Sequence, residues 1–73
     1  MPIGAFARLA RLTVKAVRHY DAQGLLVPAH VDARSGYRYY RAEQVPTATT
    51  IALLRGLDVP LPVVTRLAVA VVE

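Results

Sequence analysis

The chain contains no cysteine among its 73 residues, and this absence excludes several kinds of site. Without thiols there is no disulfide framework, no thiolate zinc site and no thiol redox centre. The composition, with 55% hydrophobic and 19% charged residues, is typical of one small globular domain rather than of a disordered tail or a multidomain enzyme. We therefore expect one soluble domain over residues 1–73 in a reducing compartment, with the cytoplasm as its expected location.

The sequence also lacks a long apolar run. The longest uncharged segment, residues 44–54, has 11 residues, whereas a membrane-spanning helix needs roughly 20. Basic residues interrupt the first twenty positions, so no apolar stretch of about 7 to 15 residues is available for a secretory signal. We find no internal repeat, low-complexity tract or flexible linker. The sequence therefore predicts neither a membrane segment nor a signal peptide.

Acidic residues are scarce in the first part of the chain. Residues 1–41 contain seven basic and two acidic residues, a net charge of +5, whereas residues 42–73 carry a net charge of −1. The seven basic residues are Arg8, Arg11, Lys15, Arg18, Arg34, Arg38 and Arg41. Such a concentration indicates a polyanion-binding face, and the alternative is a merely solvated surface.

No catalytic constellation accompanies these charges. The two histidines, His19 and His30, have only Asp21 and Asp32 as acidic neighbours, and this pattern resembles neither a metal site nor an acid–base pair. We therefore predict that the chain is not an enzyme and binds neither a cofactor nor a metal ion.

Two short helices are predicted at the start of the chain. Four apolar residues recur at helical spacing after Gly4, a candidate N-cap. They are Phe6, Ala7, Leu9 and Ala10. Thr13 is a good N-cap for a second helix that ends before Gly24. The apolar side of this second helix consists of Val14, Ala16 and Val17.

Only a tight turn separates these helices, and this is the layout of a helix-turn-helix. In that motif the second helix is free to enter a DNA major groove, although many helical hairpins do not bind DNA. The outward face of the second helix favours DNA, because its side chains suit phosphates and base edges. These side chains are Lys15, Arg18, His19 and Tyr20.

A β-hairpin is predicted next. Two extended runs, residues 27–31 and 37–40, flank a five-residue loop that contains glycine. We expect at least one of the tyrosines in the second run to lie in the core. Arg38 and Arg41 are interleaved with these aromatics and can donate to a sugar-phosphate backbone.

Two further helices are predicted in the second half. Because Pro46 lacks an amide hydrogen, the third helix begins near Glu43 or is irregular in its first turn, and Asp58 marks its end. The last helix starts at about Leu61 and is apolar on all sides, with Val63, Val69 and Val72 opposite Val64, Leu67 and Val71. Such a helix must be covered, so we expect a fragment of a longer protein or a dimer.

Three segments resemble the DNA-binding domain of the MerR family of bacterial transcription regulators, and the resemblance covers nearly the whole chain. They are Ile3–Ala7, then Thr13–Asp21 followed by Gly24–Leu26, and Gly36–Tyr40 followed by Ala42–Gln44. The resemblance implies a mainly α winged helix-turn-helix with about four helices and a two-stranded wing.

The resemblance also implies which residues contact DNA. Thr13, Lys15, Arg18 and Tyr20 would belong to the recognition helix, and Tyr37 and Arg38 to the wing. Arg55 matches a basic position near a phosphate. We add His19 as a polar contact on the recognition helix and Arg41 as a donor beside the wing.

The family mechanism implied by the resemblance requires a homodimer. The dimer binds a pseudo-palindrome in an overlong promoter spacer and, with its effector bound, bends and untwists the DNA so that RNA polymerase can engage the promoter. We expect the dimerisation helix and the effector-binding region to lie beyond this chain.

Three positions depart from the family pattern. Arg11 replaces a glycine or asparagine in the inter-helix turn, Arg41 replaces a serine or threonine cap, and Asp58 replaces a glycine. Aspartate tolerates left-handed backbone, whereas arginine favours a different turn. Two other functions stay open: an excisionase-like architectural DNA-binding protein, and a protein-interaction module that docks through its apolar last helix.

Overall fold

A computed structural model describes the backbone of residues 1–72 and the side chains of residues 1–67. Within these residues the elements are α1 (Ile3–Leu9), α2 (Val14–Ala22), β1 (His30–Val31), β2 (Arg38–Tyr39), a 3₁₀ turn (Ala42–Gln44), α3 (Val45–Gly56) and α4 (Leu61–Val72). The strands pair antiparallel, His30 with Tyr39 and Val31 with Arg38, and are shorter than predicted. The predicted fold class, mainly α with a two-stranded wing, is confirmed.

The starts of α1 and α2 differ in how they are capped. The N-cap of α1 is Pro2, so the predicted cap at Gly4 is wrong. Proline is tolerated there because the first amides of a helix have no intrahelical partner. At α2 the prediction is confirmed, since the Thr13 Oγ1 accepts a hydrogen bond from the Ala16 amide at 3.0 Å.

The first three α-helices end in the same way, with a left-handed residue after the C-cap. After α2 this residue is Gly24, with φ 73°, whereas after α1 and α3 it is Arg11 and Asp58, each with φ 59°. The Leu12 amide donates to the Ala7 carbonyl at 2.8 Å, which closes a Schellman motif after α1. The expectation that Arg11 favours a different turn is therefore wrong.

The base of the hairpin is held on both edges of β2. On the edge away from β1, Pro2 forms an antiparallel bridge with Tyr39. The Met1 ammonium donates to the Tyr40 carbonyl at 2.6 Å, and the Tyr40 amide donates to the Met1 carbonyl at 2.8 Å. The first two residues thus act as a third, short strand.

Asp32 shapes the loop of the hairpin. Its Oδ1 accepts hydrogen bonds from the backbone amides of Ser35 at 3.0 Å and Arg34 at 2.8 Å. These bonds favour the ionised form and lower the pKa of Asp32 below its ordinary value. Gly36, with φ 74°, supplies the left-handed backbone that returns the chain to β2. Arg34 is exposed in this loop.

Tyr40 links the hairpin to the core, which confirms that a tyrosine of this run is buried. It is 1% exposed, its ring stacks on Phe6 with centroids 4.6 Å apart, and its hydroxyl donates to the Leu26 carbonyl at 3.1 Å. Burial, assisted by the charge of Asp21, raises the pKa of Tyr40 to about 12. Among the side chains that the structure describes, the other buried apolar residues are Ala7, Ala10, Val17, Leu25, Leu26, Ala48, Ile51 and Val64.

The start of α3 is irregular, as predicted. Pro46 lies in its first turn, and a 3₁₀ turn precedes it. Gln44 joins this turn to the preceding chain, because its Oε1 accepts from the Arg41 amide at 2.8 Å and its Nε2 donates to the Val27 carbonyl at 2.7 Å. The helix is therefore anchored to the segment between α2 and β1.

Several apolar side chains on the helices or at their ends are exposed. They are Leu9, Val14, Leu53, Leu57 and Leu67. In α4, Val64 is fully buried, whereas the side chains of Val69, Val71 and Val72 lie outside the described residues. The prediction that α4 is apolar on all sides is thus untested at those positions. No described helix is long and apolar enough to cross a membrane.

Candidate nucleic-acid interface

The outward face of α2 carries basic and polar side chains. As predicted, this face exposes Lys15, Arg18 and His19. The other side of the helix packs into the core through the fully buried Val17. These three side chains can donate hydrogen bonds to phosphates or to base edges in a major groove.

Tyr20 and Thr13 line the same open surface hollow as Lys15, Arg18 and His19. Tyr20 is half-buried and packs against the core, because it lies one helical turn from Val17 and shares its side of the helix. Thr13 is exposed, but its hydroxyl oxygen already caps α2. Its O–H can still donate to a phosphate, so the two roles are compatible.

A half-open cavity of about 220 Å³ lies between the hairpin, α2 and the first residues of the chain. Its lining consists of Pro2, Ile3, Arg18, Gly36, Tyr37, Arg38 and Tyr39. The lining thus combines a guanidinium from α2 with a guanidinium and phenols from the hairpin. Tyr37 is 67% exposed, so its hydroxyl is free to meet a ligand. The structure therefore brings Arg18, Tyr37 and Arg38 together, as a winged helix-turn-helix requires.

One ion pair connects the hairpin to α2. The Arg38 Nε donates to the Asp21 Oδ2 at 2.6 Å, with the Arg38 side chain 38% exposed and the Asp21 side chain 19% exposed. This is the only ion pair among the described residues. The positive charges of Lys15 and Arg18 are consequently not neutralised by a neighbouring carboxylate in that part of the chain.

Arg41 and Arg55 lie apart from the cavity. Arg41 is exposed at the start of the 3₁₀ turn. Arg55 is half-buried near the end of α3, where its Nη1 donates to the Val59 carbonyl at 3.2 Å and so supports the turn into α4. Neither residue lines the cavity between α2 and the hairpin.

Sequence reasoning assigned no role to two residues of this region. From the sequence, Asp21 is an acidic neighbour of His19 and a part of the family motif, and its pairing with Arg38 joins positions that are 17 residues apart. Arg34 is one of the basic residues and belongs to the predicted hairpin loop, and the structure shows it exposed there. The position of Arg34 between Asp32 and Gly36, two turn-forming residues, is a signal that identifies it as a loop residue.

Comparisons with known proteins agree with this geometry. Residues 1–70 match the model of the MerR HTH family regulatory protein. The chain is 48% identical to the transcriptional regulator BrlR of Pseudomonas aeruginosa over 67 residues, which cover 92% of this chain and 25% of BrlR. It is 39% identical to the multidrug-efflux transporter 1 regulator of Bacillus subtilis over 59 residues, covering 81% of this chain and 21% of that protein.

A third relative is the HTH-type transcriptional regulator CueR of Vibrio cholerae. It is 38% identical over 61 residues, which cover 84% of this chain and 43% of CueR. The chain therefore spans a quarter or less of the first two relatives and less than half of the third. Because the family model matches almost the full length, the chain belongs to the MerR HTH family of regulatory proteins.

Proposed function

We propose that this chain binds double-stranded DNA and serves as the DNA-binding domain of a transcription regulator. The observation that supports this most is the shared cavity, which is lined by Arg18 of α2 and by Tyr37 and Arg38 of the hairpin. A phosphate backbone that passes between the two elements would meet donors from both. The uneven charge, with +5 in residues 1–41, adds a long-range attraction for a polyanion.

In this proposal each element has its own task. Lys15, Arg18 and His19 enter or border the major groove on α2, with Thr13 and Tyr20 at its margins. Tyr37 and Arg38 contact the backbone from the wing. Two further phosphate contacts are assigned to Arg41 and Arg55.

The regulatory part of the proposal rests on the relatives, which are named as transcriptional regulators. We propose that residues 1–73 form one domain of a longer protein, whose dimerisation helix and effector region lie beyond this chain. A homodimer would bind a promoter pseudo-palindrome, deform it when an effector is bound and so present the promoter to RNA polymerase.

The experiment is a fluorescence-anisotropy titration of a labelled DNA duplex over a range of salt concentrations. If the domain contacts three to four phosphates, a fourfold rise in salt weakens binding by about 40- to 150-fold, because each contact releases counterions. An affinity that does not change with salt would contradict DNA binding and favour the protein-interaction alternative.

A further inference from the structure

We propose that Asp21 is a positioning residue for DNA binding, which fixes Arg38 and the hairpin against α2. The proposal rests on the proposed DNA-binding function and adds a residue to it. It assigns to a carboxylate a favourable role on a surface that has to attract a polyanion.

The contact geometry leaves part of the Arg38 guanidinium available. Asp21 accepts from Nε, at 2.6 Å, and the two Nη groups make no hydrogen bond among the described residues. The guanidinium is planar with donors in a rigid fork, so a carboxylate on Nε fixes the directions of both Nη groups. Arg38 also lines the cavity that Arg18 lines from α2. The held guanidinium therefore keeps its remaining donors available in a residue that lines the same cavity as Arg18.

The same contact positions the hairpin. Its strands, β1 and β2, have only two residues each. Among the described residues, the bond from Arg38 to Asp21 is the only hydrogen bond between these strands and α2. An arginine that is already ordered loses less conformational freedom when it binds a phosphate. Loss of Asp21 would release the side chain of Arg38 and remove this link between the wing and α2.

Two effects of Asp21 on DNA affinity oppose each other, and this makes the proposal testable. As a negative charge it repels phosphates, so its removal would strengthen binding. As a positioning residue it strengthens binding, so its removal would weaken it. The positioning effect requires Arg38, whereas the repulsion does not. The sign of the Asp21 effect should therefore reverse when Arg38 is absent.

The experiment is a double-mutant cycle on the whole chain with Asp21→Ala, Arg38→Ala and the double variant, measured by duplex binding at several salt concentrations. Glu43→Ala is the matched control, because Glu43 is an exposed carboxylate outside the ion pair. We expect Asp21→Ala to weaken binding about five- to tenfold, as lost couplings of this kind do. Glu43→Ala should leave binding unchanged or slightly tighter, and Asp21→Ala should tighten binding in the Arg38→Ala background.

Three results would overturn the proposal. One is an Asp21→Ala variant that binds as tightly as the unaltered chain, and another is an equal loss with and without Arg38. The third result is an unaltered chain that does not bind duplex DNA, which would overturn the proposed function as well. If circular dichroism shows that the Asp21→Ala variant is unfolded, Asp21→Asn replaces it in the cycle, and the same sign reversal is required. The first two overturn the positioning role alone.

Discussion

The molecule contains two pairs of helices, α1–α2 and α3–α4. Their connecting turns have the same backbone conformation, whereas their outward faces differ. In the pair α1–α2 the turn passes through Arg11, and in α3–α4 it passes through Asp58, both with φ 59°. Each turn is followed, in the second helix, by a valine that is fully buried, Val17 and Val64 respectively. The backbone of the turn and its anchor in the core are therefore alike.

The surfaces of the two pairs are not alike. The second helix of the first pair exposes Lys15, Arg18 and His19, whereas the second pair exposes Leu53 on α3 and Leu57 at the C-cap of that helix. Helix–turn–helix geometry therefore does not by itself define a nucleic-acid interface. The charge on the second helix and the adjacent wing distinguish the pair that we propose to bind DNA.

The largest effect is expected from the two anchoring valines. Val17→Ala and Val64→Ala should each lower the free energy of unfolding by about 2 kcal/mol, because each leaves a cavity in one shared core. Urea unfolding followed by circular dichroism measures both, with the 62% exposed Val27→Ala as the control that changes stability little. A two-step transition in either variant would show that the pairs fold independently.

The next prediction compares DNA affinity after removal of one basic side chain from each helical pair. Arg18→Ala should weaken DNA binding by about 1 to 3 kcal/mol with the fold intact, whereas Arg66→Ala, which removes an exposed charge from α4, should change it little. Binding titrations against several duplexes show whether Arg18 reads a base, since discrimination is then lost together with affinity. Equal losses in both variants would contradict the assignment to α2.

A smaller effect is expected at the turns. Arg11→Gly should raise the free energy of unfolding by about 0.5 to 1 kcal/mol, because relief of the left-handed strain exceeds the added freedom of the unfolded chain. Asp58→Gly should raise the free energy of unfolding by less, since aspartate tolerates a left-handed backbone better than arginine does. Thermal unfolding measures both. Gly24→Ala is a control that should lower the free energy of unfolding. An added Cβ there meets no atom within 4 Å, so the loss of stability would come from the left-handed backbone alone.

The smallest effect concerns pH and Tyr40. Its pKa is about 12 in the folded chain against an ordinary value of 10.0, so the protonated phenol contributes stability below pH 10 that is lost as the pH rises towards 12. Near pH 10.5 the loss is less than about 1 kcal/mol. The difference in unfolding free energy between the unaltered chain and Tyr40→Phe should therefore fall above pH 10. If the unfolding free energies of the two proteins change in parallel with pH, the shifted pKa is contradicted.

Local signals predicted much of this structure and failed where distant packing decides. The cap at Thr13, the irregular start of α3 at Pro46 and the hairpin each follow from a few neighbouring residues. The left-handed Arg11 opposes local preference, and it is kept because the Schellman bonds and the packing of α2 on α1 fix the turn. The ion pair between Asp21 and Arg38 does not follow from helical or strand spacing.

The most direct test of the central claim is a titration of the ¹⁵N-labelled chain with duplex DNA, followed by NMR of the backbone amides. We expect the largest shifts in α2 and in the hairpin, with the amides of α4 nearly unchanged. Shifts concentrated in α3 and α4, with α2 and the hairpin unaffected, would contradict it.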